Sequence, residues 1–304
     1  MSTSLAYSVL DVFTTTPFAG NPLAIVHLPP PPTVLTQHQK QLIAREFRFS
    51  ETVFVHTPPS NDSSSITIDI FGVDDEIPFG GHPAVGAGLH LLSKYPSPIT
   101  LQTKAGPVPI DADNGTVTVQ VPIDFKLHPP YPLPHLRSLQ PALLDADFAT
   151  ATNDTPIVSI LKGMTFILLE LTSTNAITKL IPYPQPAPLP KGYLGEWDGM
   201  VGIYAYVIEN SSDSGVEIRT RMFYGEGQED AASGSAACAL GAWWVAVSKR
   251  LPALRKFSFS QGEELGRRSD MEVRVTADEH GSVQGVAIGG KAVEVMDGHV
   301  KVKF

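Results

Sequence analysis

Cysteine is almost missing from this chain of 304 residues: Cys238 stands alone. A single thiol excludes an intrachain disulfide, every multi-cysteine metal site and any mechanism that needs two thiols. Positive charge is scarce as well. Lys plus Arg number 22 against 31 Asp plus Glu, a formal net charge of −9, and no dense basic cluster occurs, which argues against a nucleic-acid partner. No apolar run approaches the ~18 residues of a membrane span. Residues 1–7 carry no basic segment leading into an apolar core, so no membrane partner is expected and the chain reads as cytoplasmic. The nine histidines show no H-E-x-x-H or comparable spacing, so a catalytic metal is not expected.

What the chain does have is a pair of glycine-rich turns. Phe79-Gly80-Gly81-His82-Pro83 and Glu229-Asp230-Ala231-Ala232-Ser233-Gly234-Ser235 lie about 150 residues apart, and each leads into a helical pattern of small apolar residues. A turn that opens a helix presents unpaired backbone N–H groups and the positive end of the helix dipole, so each is a ready anion site. Two of them in related halves suggest one small anionic ligand clamped between those halves.

The spacing of apolar residues predicts strands over 7–13 and 23–27, joined by a loop ending in Gly20-Asn21-Pro22, then a helix over 35–47 with Thr36 as N-cap. Residues 50–55 and 65–71 read as strands, the second with Ile66, Ile68 and Ile70 on one face. After the first glycine turn, 84–92 reads as a helix and 99–121 as a meander with turns at Ala105-Gly106-Pro107 and Asp113-Asn114-Gly115. The second half replays this order. Residues 166–171 resemble the opening strand, 202–208 match the run after Glu51, 216–223 match the strand ending at Phe71, and a helix over 236–247 follows the second turn. Four matched elements in one order indicate an internal duplication. The expected organisation is an N-terminal half over 1–127, joined by a C-terminal strand over 291–304, a Pro-, Leu- and His-rich crossing over 128–155, and a C-terminal half over 156–290. Residues 181–190 read as a surface loop, and Gly289-Gly290 and Asp297-Gly298 as turns.

Glu51 opens an otherwise apolar strand. Facing a cleft, it would be a general acid/base whose pKa burial raises; facing water, it is an edge-strand carboxylate. His82 precedes Pro83 at a helix start, placed either beside charge developing on a ligand or as a capping and packing residue. Asp230 holds the mirror position, as a site residue or an N-cap, and Ser235 is placed to bond a carboxylate or to cap. Cys238 lies among alanines and reads as a small buried hydrophobe rather than a nucleophile. The low bulk of Gly86, Ala87, Gly88 and residues 236–241 suggests helices threaded through a tight space such as a barrel interior. Neither turn has the G-x-G-x-x-G or G-x-S-x-G spacing, which sets aside dinucleotide and serine-nucleophile readings.

Together with Asp11-Val12-Phe13, Pro17-Phe18-Ala19-Gly20-Asn21-Pro22, Ser50-Glu51-Thr52-Val53-Phe54-Val55 and Gln261-Gly262 followed by Leu265-Gly266-Arg267, these turns make the chain resemble the phenazine-biosynthesis PhzF-like isomerase family over nearly its whole length. The resemblance implies an α+β, diaminopimelate-epimerase-like fold: two pseudo-symmetric halves, each a curved mixed or antiparallel sheet wrapped around a central helix, with the site in the cleft between. It implies a homodimer, no cofactor and a small carboxylate-bearing substrate. The family's reference reaction isomerises trans-2,3-dihydro-3-hydroxyanthranilate by moving a proton along an allylic system. On that model Glu51 shuttles the proton and His82, Asp230 and Ser235 assist. The substrate carboxylate is held at Gly81, His82, Gly234 and Ser235. Related racemases and epimerases of this fold place one cysteine in each glycine turn; here Gly80 and Ala231 or Ala232 stand there, which excludes two-thiol epimerisation. One-base epimerisation, a lyase or cyclising reaction, and a carboxylate-metabolite binding protein without turnover are the alternatives.

Overall fold

Alternating apolar residues set the strands of the first part of the chain, and small residues set its central helix. The computed structural model describes residues 2–303 except 32–33, 59, 61–62, 96–97, 150–153, 186, 188 and 249–253. Two units emerge, one of residues up to Pro122 together with those from Ile288 onward, the other of Ile123–Ala287. In the first, β1 (Ser2–Val12) pairs antiparallel with β2 (Asn21–His27). α1 (Gln37–Phe47) starts at Thr36, whose side chain and that of Gln39 form a reciprocal capping box, and returns the chain to β3 (Glu51–Val55), parallel to β2. β4 (Ser65–Phe71) pairs antiparallel with β3, and Ile66, Ile68 and Ile70 are all buried as its alternation requires. The short β5 (Glu76–Ile77) leads into α2 (Gly81–Leu92). β6 (Ile99–Thr103) lies parallel to β4, and β7 (Gly106–Asp113) and β8 (Thr116–Gln120) complete the meander. Asn114 and Gly115, both at positive φ, make the two-residue hairpin turn between them.

The second unit repeats the pairing order. β9 (Lys126–Pro132) and α3 (Leu133–Ser138) precede β10 (Asp154–Leu161), which is antiparallel to β11 (Met164–Glu170). After α4 (Thr174–Thr178), β12 (Met200–Ser212) runs parallel to β11, as β3 does to β2. β13 (Gly215–Tyr224) is antiparallel to β12 and pairs with the short β14 (Gln228–Asp230), which leads into α5 (Gly234–Val247). β15 (Leu254–Gln261) then lies parallel to β13, as β6 does to β4, and is followed by β16 (Ser269–Ala277) and β17 (Val283–Gly290). The chain re-enters the first unit, and β18 (Ala292–Lys303) pairs with the whole length of β1.

Three expectations change. The counterpart of the opening strand is β10, not residues 166–171, which answer to β2; Pro156 and a polar start obscure β10 in the sequence. Within the segment read as a crossing over 128–155, β9 pairs with β10, and Tyr131, Leu133 and Leu136 join the second unit's core, while residues 150–153 lie outside the described residues. Gly289-Gly290 is no turn but the end of β17, and Asp297-Gly298 is no turn but the middle of β18, where Gly298 faces Tyr7 and an added Cβ would come within 2.8 Å of the Tyr7 hydroxyl. Of the expected loop over 181–190, residues 186 and 188 lie outside the described residues.

α2 touches β1, β2, β3, β6, β8 and β18 of its unit, and α5 touches β10, β11, β15 and β16 of its own. Each helix is buried on nearly every side, which is why their sequences are apolar all round and low in bulk. At Gly86 a Cβ would come within 2.5 Å of Leu23 Cδ2 and 2.8 Å of Val12 Cγ2, so a strand passes closer than any side chain allows. Among the described residues no helix is long and apolar enough to cross a membrane.

Candidate active site

Glu51 is the first residue of β3, and His82 is the second residue of α2. His82 is buried at 3% exposure; its Nδ1 lies 2.8 Å from Glu51 Oε2 and its Nε2 lies 3.2 Å from the Asn21 carbonyl oxygen. A carbonyl only accepts, so Nε2 carries a hydrogen. The contact between Nδ1 and Oε2 then needs one further hydrogen, held either by the imidazole or by the carboxyl group. The two side chains thus share a single proton.

Burial opposes charge on Glu51, but the hydrogen bond and charge of His82, with a hydrogen bond from Ser50, outweigh it and hold the carboxyl below its ordinary value. The rise expected from burial alone is reversed, because the strand start meets a base supplied by α2. Glu51 is therefore held toward its charged form. It is not an edge residue facing water, and His82 is not the cap: Gly80, which has no side chain to bond with, is the N-cap of α2. The loop before Asn21 is shaped to present that carbonyl. Phe13 and Phe18 both take positive φ, and the Phe18 N–H donates to the buried Asp11 carboxylate at 2.6 Å.

The second turn is built differently. Asp230 ends β14, whose place beside β13 is secured by its neighbour Glu229: Arg221 Nε and Nη2 donate to the two Glu229 oxygens at 2.8 and 2.7 Å. Arg221 Nη1 donates to the carbonyls of Ile177 and Leu180. The N-cap of α5 is Ser233, not Asp230, and it too makes no side-chain capping bond. Instead the Ser233 hydroxyl donates to Asp230 Oδ2 at 2.5 Å. Ser235 sits in the first turn of α5 at 6% exposure. Gly81 and Gly234 are the first residues of their helices, and in neither helix does the N-cap residue's own side chain bond the first-turn N–H groups.

Behind Asp230 lies a group of side chains whose roles the sequence did not disclose. Gln261, 1% exposed, donates from Nε2 to the Asp230 carbonyl at 2.8 Å and accepts at Oε1 from the Ser233 N–H at 3.3 Å. The Thr220 hydroxyl lies 3.3 Å from the same Oε1 and 3.1 Å from the Ser260 carbonyl, and accepts from the Tyr204 hydroxyl at 3.1 Å. Burial pushes the Tyr204 phenol up, so it stays a donor. Gln261 belongs to a recognisable motif, but nothing in a motif says that its amide meets groups about 30 residues earlier. Cys238 is fully buried in α5, and burial pushes its thiol up, as suits a small core residue. Among the described residues no three His, Cys, Asp or Glu side chains gather as a metal site requires.

Comparison with known proteins decides the family. A family model described as phenazine biosynthesis-like protein matches residues 10–298. The chain belongs to this family. An uncharacterized isomerase of Pasteurella multocida is 32% identical over 99% of this chain and 96% of its own. The trans-2,3-dihydro-3-hydroxyanthranilate isomerase of Pseudomonas aeruginosa is 29% identical over 88% of this chain and 89% of its own. Among solved structures, a PhzF-family phenazine biosynthesis protein of Bacillus anthracis superposes with a TM-score of 0.77 at 23% identity, covering 98% of this chain and 99% of that one. A hydroxyproline epimerase of Agrobacterium vitis shares the fold with a TM-score of 0.60 at 15% identity, over 98% of this chain and 93% of its own. This member of the phenazine biosynthesis-like family is an isomerase with the α+β, epimerase-like fold that its motifs led one to expect.

Proposed function

We propose that this isomerase moves a proton within a small carboxylate-bearing substrate, without a cofactor, and that Glu51 is the group that takes the proton from one carbon and returns it to another. The observation that carries the reading is the Glu51–His82 pair, in which a single shared proton bridges a carboxylate and an imidazole whose far nitrogen is already committed to Asn21. Such a carboxylate is a base at neutral pH. Once it has taken a substrate proton it is a neutral acid that can return that proton to another carbon.

The uncapped first turn of α2, at Gly81 and His82, is suited to a substrate carboxylate, since backbone N–H groups stabilise negative charge without reorganising. Asp230, Ser235 and Gly234 are the corresponding candidates on the second turn. The name of the Pseudomonas aeruginosa relative supports the class of reaction and supplies a probe.

The test is deuterium exchange from D₂O into trans-2,3-dihydro-3-hydroxyanthranilate. Glu51→Gln keeps the shape of the side chain and is expected to lower exchange by about 10²–10⁴-fold while the fold, followed by circular dichroism, is unchanged. Exchange that persists at the parent rate in a folded Glu51→Gln protein rules Glu51 out as the base. Formation of a product of lower mass, through loss of water or ammonia, would replace isomerisation by a lyase reaction.

A further inference from the structure

The hydrogen bonds of Gln261 tie it to the N-cap of α5, Ser233, and to the end of β14. Its amide has two donor hydrogens and an oxygen that accepts twice. Nε2 reaches the Asp230 carbonyl at 2.8 Å and the Ser233 hydroxyl oxygen at 3.4 Å, while Oε1 faces the Ser233 N–H and the Thr220 hydroxyl, each at 3.3 Å. Flipping the amide would set donor against donor at Ser233 N and acceptor against acceptor at Asp230 O, so its orientation is determined. Thr220 and Tyr204, both fully buried, hold it from behind.

We infer that Gln261 is a positioning residue for the reaction: acting through Ser233, it holds the Asp230 carboxylate in one orientation, and Ser233 rather than Ser235 is the hydroxyl that serves Asp230. This rests on the reading of Asp230 as part of the active site. The chemistry follows from one hydrogen. The Ser233 hydroxyl has a single proton, and it points at Asp230 Oδ2. An incoming N–H from Gln261 occupies a lone pair of the same oxygen and restrains its rotation, and the grip on Ser233 N and Asp230 O keeps the two residues at a constant separation. One carboxylate oxygen is thereby occupied and the orientation of the other is set.

The test uses the full-length protein with ¹³C-carboxyl-labelled aspartate, the Asp230 resonance being assigned by its loss in Asp230→Asn. Gln261→Met retains bulk and removes every hydrogen bond. It is expected to raise the Asp230 titration midpoint by about one unit, since a hydrogen bond to a carboxylate favours its charged form. Turnover of trans-2,3-dihydro-3-hydroxyanthranilate is expected to fall in kcat by about 10–100-fold with KM changed by less than about 3-fold. Ser233→Ala reproduces both effects and Ser233→Thr, which restores a hydroxyl, reverses them. Adding Gln261→Met to Asp230→Asn costs no further activity, because the amide acts only through that carboxylate. An unmoved Asp230 midpoint in the folded Gln261→Met protein, or a fully additive double variant, overturns the inference. Should Gln261→Met not fold, the contrast between Ser233→Ala and Ser233→Thr decides. The titration needs no substrate, so a wild-type protein that ignores the probe counts against the proposed function and leaves the role of Gln261 to the titration.

Discussion

Each ring nitrogen of His82 has one partner, and this limits what the imidazole can do: it holds or releases the proton it shares with Glu51. Two other histidines of the same unit meet a different fate. His90, in the last turn of α2, and His27, at the end of β2, face each other with Nε2 atoms 3.0 Å apart; Lys94 Nζ is 3.4 Å from His27, and Glu294 is 3.5 Å from His90 Nδ1. Burial first, and Lys94 second, push each pKa down to about 4. Both rings are neutral in the folded protein and charged in the unfolded chain between pH 6.5 and about 4. The unfolded chain then binds more protons, so their contribution is complete above pH 6.5 and drains away as pH falls toward 4. Allowing for partial solvent screening, the loss is on the order of 1–2 kcal/mol. Urea midpoints at pH 7, 5.5 and 4.5 will fall accordingly, and a His27→Gln, His90→Gln protein will show a flatter decline; an unchanged slope would refute it. At this scale the sequence singled out Glu51 and His82 but could not say that they meet or how they ionise. The sign of the Glu51 shift depends on a neighbour 31 residues away, and the role of Gln261 on hydrogen bonds reaching back 28 and 31 residues.

Local rules carry further at the level of elements. Thr36 as N-cap predicts the start of α1, strict alternation predicts β4, and Asn114-Gly115 predicts the hairpin, because each is decided by residues within a few positions. Asp297-Gly298 has the same turn chemistry and yet continues a strand, since there the glycine makes room for Tyr7 across the ladder. Tertiary contact outweighs local preference in that case. The central helix offers a test of the same contest. Alanine is a better helix former than glycine by about 1 kcal/mol, but at Gly86 a methyl group would collide with Leu23 and Val12, both fully buried and unable to shift freely. Overpacking costs about 1–3 kcal/mol. Gly86→Ala is therefore expected to lower Tm, whereas Gly88→Ala, whose Cβ would lie 3.1 Å from Ile110 and Val117, should lie near neutral. Thermal melts of the two variants would expose a mistake if their order were reversed.

For the molecule as a whole, the duplicated order of pairings made the architecture legible, since a repeated pattern is visible even where single strands are misjudged. The return of the chain end was expected as a strand, and its energetic weight follows from its partner. β18 pairs with β1 along eleven register positions, and Val302 enters the cluster beneath α1. Truncation after Lys291 would leave β1 with an open edge and strip that cluster, so the first unit should lose its cooperative melt and the protein should self-associate in size-exclusion chromatography. A monomeric, normally melting truncation would show that β18 is dispensable. The second unit contains its own apolar core, and Cys238 of α5 is fully buried. A thiol that is alone in the chain, enclosed by α5 and poorly ionised meets a maleimide or an arsenical only when its surroundings come apart. The same alanine-lined burial that removes Cys238 from catalysis thus turns it into a clock: the rate at which native protein takes up a thiol label measures, from a single atom, how often the second unit opens.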